Sequence, residues 1–216
     1  MKKKLFAIII TTIIVSCNEK APKKENSEKT EIAVQKNEQP EKSILETEKP
    51  SSEWGYMKVD VENFPVTEET SFDTYDESYR ENHPDGRVYT KLKKEQIQKL
   101  GLQDWLKNGT DISVNYELPY SENFRTFVFT FQDGEMELKT FMVTFDKKFK
   151  KIDELQIAYD EIAESWMWTK SAISKNKIEV KDYNESSGET EITTTIYKLD
   201  ENGRFVKLSK NEPKME

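Results

Sequence analysis

From Asp111 to Leu208 the chain alternates, and that period of two decides what it can become. Ile112, Val114 and Tyr116 are separated by polar residues. Phe127, Phe129 and Phe131 fall on one face of the next segment, with Thr126, Val128 and Thr130 on the other. Successive side chains of a strand point to opposite faces of its sheet, so this spacing predicts strands rather than helices. Turn signals punctuate the run. Asp133-Gly134 leads into a return strand over Met136–Phe145, and Asp146-Lys147-Lys148 turns the chain into Phe149–Tyr159, where Ile152, Leu155 and Ile157 are candidate core residues. Ser165–Ile173, Ile178–Tyr183, Thr190–Leu199 and Phe205–Leu208 follow. They are joined by Ser174-Lys175-Asn176, by Asn184–Gly188 and by Asp200-Glu201-Asn202-Gly203. Strands at this spacing with short turns describe an antiparallel meander. The expected fold is mainly β, a curved sheet or incomplete barrel.

One short helix is predicted beside it. Lys93–Leu100 is rich in good helix formers, and Gly101 follows where a left-handed residue ends a helix. Leu102 then falls where a Schellman motif returns an apolar contact to Ile97. Trp105 and Leu106 extend that apolar cluster. Trp54–Val61 reads as a first strand. Residues 62–86, broken by Pro65, Pro84 and Gly86, read as a long loop, and Val88–Leu92 as a further strand or the approach to the helix.

Composition divides the chain before Trp54. Residues 18–50 interleave eight glutamates with seven lysines, hold no aromatic residue and contain Pro22, Pro40 and Pro50. Such a segment buries too little to offset its ordering entropy, so it is read as a linker, with a typical reach of roughly 30 Å. All four tryptophans lie at Trp54 or beyond, and residues 51–216 are read as a single β-rich domain of ordinary size.

The first 17 residues have a separate logic. Lys2-Lys3-Lys4 precede an apolar run of 11 residues, Leu5–Val15, and then Ser16 and Cys17, the only cysteine. The run is shorter than the ~20 residues of a spanning helix, and its order of basic, apolar and small residues is that of a secretory signal peptide over residues 1–16. Ile14-Val15-Ser16-Cys17 resembles the lipobox of bacterial lipoproteins. The resemblance implies a thioether-linked diacylglycerol on Cys17, an acylated new amino terminus and a mature chain tethered to a membrane. Asn18 after the cysteine is similar to Gram-negative lipoproteins sent to the outer membrane, and the Lys, Asn and Glu mixture that follows resembles lipoproteins of the Bacteroidota, some of which face outward. Within the domain, Ile152–Tyr159, Ser171-Ala172-Ile173, Thr194–Leu199 and Gly203-Arg204-Phe205-Val206 also resemble small Bacteroidota lipoproteins. That likeness brings no activity with it.

With Cys17 lipidated, no disulfide and no cysteine metal site remain. The formal charge is −8, and removing the three leader lysines takes the mature chain to −11. That sign repels phosphate backbones, so nucleic acid is not an expected partner. The lone histidine, His83, precedes Pro84 in a turn-like stretch and is read as a solvated loop residue, which leaves no base for a triad. No cofactor and no metal are expected. Asp200–Gly203 lacks the spaced ligands of a calcium loop and is read as a hairpin turn.

Three functions are weighed. The first is a non-enzymatic envelope module that binds a protein or an envelope component through one face of its sheet. The second is a carrier of glycan or small apolar ligand using Trp166 and Trp168, which share one face of their strand. A lipocalin-type barrel belongs to this class, but its glycine-x-tryptophan signature is missing, since Trp54-Gly55 has the order reversed. Against the carrier stands burial of both indoles on the helix cluster at Ile97, Leu100 and Trp105, which the weight of large aromatics in cores favours. The third is a hydrolase built on paired acids, with Asp153 and Glu154, or Asp160, Glu161 and Glu164, as the densest groups. Adjacent acids on one strand point to opposite faces, and no nucleophile, base and orienting group assemble around them. No catalytic residue is therefore assigned.

Overall fold

The computed structural model describes residues 51–54, 57–75, 89–162, 166–211 and 214–215, all within one compact unit, Glu46–Glu216. Cys17, the 18–50 segment, His83 and Glu164 lie outside the described residues.

The meander is present. Strands β5 (Gly109–Leu118), β6 (Arg125–Asp133), β7 (Glu137–Phe145) and β8 (Lys151–Glu161) pair antiparallel, each with its sequence neighbour. They continue through β9 (Met167–Ile173), β10 (Ile178–Asn184), β11 (Glu191–Leu199) and β12 (Phe205–Lys210). Short β4 (Thr90–Lys91) adds to the β5 edge, and β13 (Lys214–Met215) pairs with β11. The sheet is not closed into a barrel.

The amino-terminal part departs from the expectation in three places. Trp54–Val61 is not one strand. Ser51–Trp54 (β1) and Met57–Asp60 (β2) form a small separate hairpin. Residues 62–75 are not all loop either: Val66–Glu68 makes β3, and Phe72–Tyr75 makes a four-residue helix, α1. β3 pairs with β9 through Val66↔Ile173 to Glu68↔Ser171, while β8 meets β9 only at Tyr159↔Thr169. The two long strands separate there, and β3 takes up the edge that β8 leaves. Three residues are too few to display a period, so the alternation in sequence was blind to this strand.

Helix α2, Lys94–Lys99, lies where it was predicted. The Gly101 amide donates to the Gln98 carbonyl and the Leu102 amide to the Ile97 carbonyl, both at 3.0 Å. That is the Schellman pattern, and Gly101 has the φ of +67° it requires. A 3₁₀ helix, Gln103–Lys107, follows.

The β5–β8 sheet has two buried faces. On one, Phe127, Phe129, Phe131, Val143 and Phe145 are covered by Ile97, Leu100 and Leu102, with Trp105 packed against them. The Trp105 and Phe131 rings stack at 4.8 Å between centroids. On the other face, Tyr116, Val128, Met142 and Leu155 form one cross-strand row. They meet Ile173, Ile178 and Val180, with Tyr197, Leu199 and Phe205 alongside. The carboxyl-terminal strands thus fold back over the central sheet. Two bonds hold the last turn there: the Thr144 hydroxyl donates to the Gly203 carbonyl at 2.6 Å, and the Phe205 amide donates to Asp153 Oδ2 at 2.9 Å. Gly203 has φ +78°, and a Cβ on it would stand 3.0 Å from the Phe124 ring, so no larger residue fits that turn without a shift.

Alternation in β5 is interrupted, which the sequence reading did not foresee. Val114 pairs with Phe129 and Tyr116 with Val128, so two residues of β5 face one step of β6. This bulge sends Tyr116 to the face opposite Val114 and bends the strand. Tyr116 thereby reaches Glu68, a fully buried carboxylate, and donates to its Oε2 at 2.7 Å.

Candidate functional site

The start of β9 and the residue before it carry the two indoles that the sequence had singled out. A four-residue connection, 174–177, sets the register, so Ile173 faces Ile178 and, counting outward, Trp168 faces Tyr183. Their rings stack with centroids 5.0 Å apart and planes 7° from parallel. The pairing extends past the strand: the Glu185 amide donates to the Trp166 carbonyl at 2.9 Å. Trp166 therefore stays in step with Trp168.

Neither indole is buried against α2. Trp166 is 47% exposed and Met167 44% exposed. Trp168 is half-buried, in a patch separate from both core clusters. The favoured core reading is thus corrected. The place under the helix is filled by Phe127, Phe129 and Phe131, with Trp105 packed against them.

A cleft of about 420 Å³ opens beside the stack, lined by Tyr159, Trp168, Tyr183, Asp182, Asn184 and Glu191 among others. Asp182 is oriented by the Thr169 hydroxyl, which donates to its Oδ1 at 2.9 Å. A second hollow of about 290 Å³ shares Tyr159, Trp168 and Thr169 and runs toward Glu69 and Lys170, an exposed pair 3.3 Å apart. The Tyr159 phenol donates to Glu161 at 2.9 Å. Burial first, then that bond and the neighbouring carboxylates of Glu137 and Asp160, push its pKa above the ordinary value, so it remains a protonated donor. Aromatic faces beside oriented carboxylate and amide groups suit a ligand with an apolar side and several hydroxyls. Asp182 and Tyr183 were not singled out from the sequence. The turn length alone signals them, since pairing across 174–177 places them opposite Thr169 and Trp168.

The paired acids have other occupations. Asp153 accepts the Glu154 amide and the Phe205 amide, and Glu154 pairs with Lys151 at 3.3 Å. Asp160 accepts the Phe72 amide at 2.8 Å, and Glu161 accepts Tyr159. These carboxylates tie elements together and do not face one another across the cleft. Among the described residues no cluster of three potential metal ligands occurs, and no helix is long and apolar enough to cross a membrane.

The fold and cleft define a β-meander module with a surface aromatic site. Comparison with protein-family models, with curated proteins and with solved structures found no match for this chain.

Proposed function

We propose that this chain is an envelope lipoprotein, held at a membrane through Cys17 and the 18–50 tether, that binds a glycan in the Trp168 cleft without transforming it. The leader and Cys17 support the anchor, and the observation that carries the ligand reading is the Trp168–Tyr183 stack beside a polar-rimmed cleft. The tether raises the local concentration of the module near its target.

The test is a tryptophan-fluorescence titration with neutral oligomers of glucose and of N-acetylglucosamine. At least one series is expected to bind. Trp168→Ala is expected to weaken it tenfold or more, equivalent to about 1.4 kcal/mol, and Trp168→Phe to restore part of the loss. Silence across the panel sinks the glycan reading. For the anchor, Cys17→Ser is expected to move the protein from washed membranes to the soluble fraction. Val206 and Leu208, both exposed on the outermost strand β12, favour a second reading, a protein partner. A photocrosslinker at position 208 in living cells reports on it.

A further inference from the structure

A different surface carries a second site. The turn between β7 and β8 is held rigid: Asp146 Oδ1 accepts the amides of both Lys148 and Lys150, at 2.8 and 2.9 Å, and the Phe149 amide donates to the Asp146 carbonyl at 2.9 Å. Phe149 occupies the left-handed region at φ +61°, a conformation that is costly for a bulky residue. Its ring meets that cost by packing on the helix-side core and lying 5.3 Å below the Arg125 guanidinium. The backbone on either side is therefore fixed, and it holds Lys148 and Lys150 against the end of α2. There they enclose, with Lys99, Lys151, Gln98 and Gln103, a hollow of about 430 Å³ that no carboxylate lines.

Lysine is common, so its bland explanation comes first. Lys99 alone is explained by its place in the last turn of α2, where a cation offsets the carbonyl end, and Lys151 is paired with Glu154. Lys148 and Lys150 have neither explanation; the carboxylate near them is that of Asp146, in their own turn, and it faces their amides. Among the described residues, Lys99, Lys148 and Lys150 form no ion pair. A chain of net charge −8 has here gathered cations on a strained, prepaid scaffold. The lysine side chains are exposed, but the backbone that carries Lys148 and Lys150 is fixed, and cations gathered in a concavity are what an anion needs.

We infer that the hollow between α2 and the β7–β8 turn is a binding site for a phosphate-bearing anion, with Lys99, Lys148 and Lys150 as the charged donors and Gln98 and Gln103 as the neutral ones. A free phosphate compound and a phospholipid headgroup share this chemistry, and the test separates them. Full-length protein carrying Cys17→Ala, which has no acyl anchor, is titrated with inorganic pyrophosphate by calorimetry. It is then sedimented with vesicles of phosphatidylcholine alone or with phosphatidylglycerol added. Binding to pyrophosphate, lost tenfold or more in Lys148→Ala/Lys150→Ala, supports the site with a free anion as ligand. Binding only to phosphatidylglycerol vesicles, lost in the same variant, supports it with a headgroup. Set against the single variant Lys148→Ala, Lys147→Ala removes an equal charge from the same turn outside the hollow, and its binding is expected to stay within twofold of the parent. No binding in either arm, or equal losses in Lys147→Ala and Lys148→Ala, overturns the proposal. Unchanged thermal melting of the variants excludes unfolding as the cause.

Discussion

The two faces of the β5–β8 sheet are both buried, by different means. The helix-side face is nearly all aromatic and aliphatic, and its cover is a short helix and one turn of 3₁₀ helix. The strand-side face buries Ser113, Asn115, Thr126, Thr130, Thr140 and Thr144 among its apolar residues. Asn115 Nδ2 donates to Thr130 Oγ1, which meets Thr140 Oγ1, both at 2.8 Å. The aromatic face draws its stability from area and ring packing, which tolerate no cavity but ask for little direction. The mixed face depends on geometry, because each buried hydroxyl must find a partner or cost free energy. It lies against strands whose own register has to be specified, whereas the other face lies under a helix.

The largest effect is expected from Phe129→Ala. The ring is fully buried at the centre of the aromatic face, and truncation is expected to cost about 3–5 kcal/mol, read from urea unfolding. A loss below 1 kcal/mol breaks the claim that area carries this side. On the opposite face two threonines are expected to part company. Thr130→Val strips Asn115 and Thr140 of a partner and is expected to cost about 1–2 kcal/mol. Thr126 Oγ1 is buried with no hydrogen-bond partner, so Thr126→Val is expected to be neutral or to stabilise by up to about 1 kcal/mol. Equal losses from the two would show that packing, and not pairing, governs this face as well.

The smallest effect lies at the rim, where the Asp146 turn seats Phe149 on the aromatic face. The Lys150 and Lys148 amides hold the Asp146 carboxyl below its ordinary value of 3.8. The unfolded chain therefore takes up this proton first as pH falls. The contribution is complete above about 3.8 and is lost as pH drops from there through the lowered folded value. Asp146→Asn is expected to flatten that part of the acid limb, seen in unfolding midpoints followed from pH 5 to pH 2. An unchanged limb would assign it to other carboxylates, such as Asp200, which the Arg204 and Asn202 amides hold low in the same way.

Much of this was legible in the residues. The helix cap was, because Gly101 and Leu102 carry their conformational requirements in their own chemistry. The Phe127-Phe129-Phe131 face was, because period two survives wherever a strand is regular. What stayed hidden is what breaks or escapes the period. The β5 bulge turns Tyr116 over without any glycine to announce it, and β3 is too short to alternate. Trp166 and Trp168 were put on one face of one strand, but β9 begins at Met167, and Trp168 lines the cleft while Trp166 does not; which side of a strand faces a core depends on which elements are left to cover it. Six phenylalanines, at 127, 129, 131, 141, 145 and 149, already fill the helix-side cluster with rings, and Trp166 and Trp168 were not needed there.

Strand β3 also gives the molecule an order in time. Every other pairing in the large sheet, apart from β13 on β11, joins neighbours in sequence, whereas Glu68 meets Ser171 across about a hundred residues. Loop closure over that span has to be met before its contacts reward it. A chain made from its amino terminus has residues 66–68 in hand long before β9 exists to receive them. Until then the Glu68 side chain stands in water, and the step that seats β3 is the one that buries its carboxyl group and delivers it to Tyr116. The meander's pairings are local in sequence, and its amino-terminal strand is expected to close last.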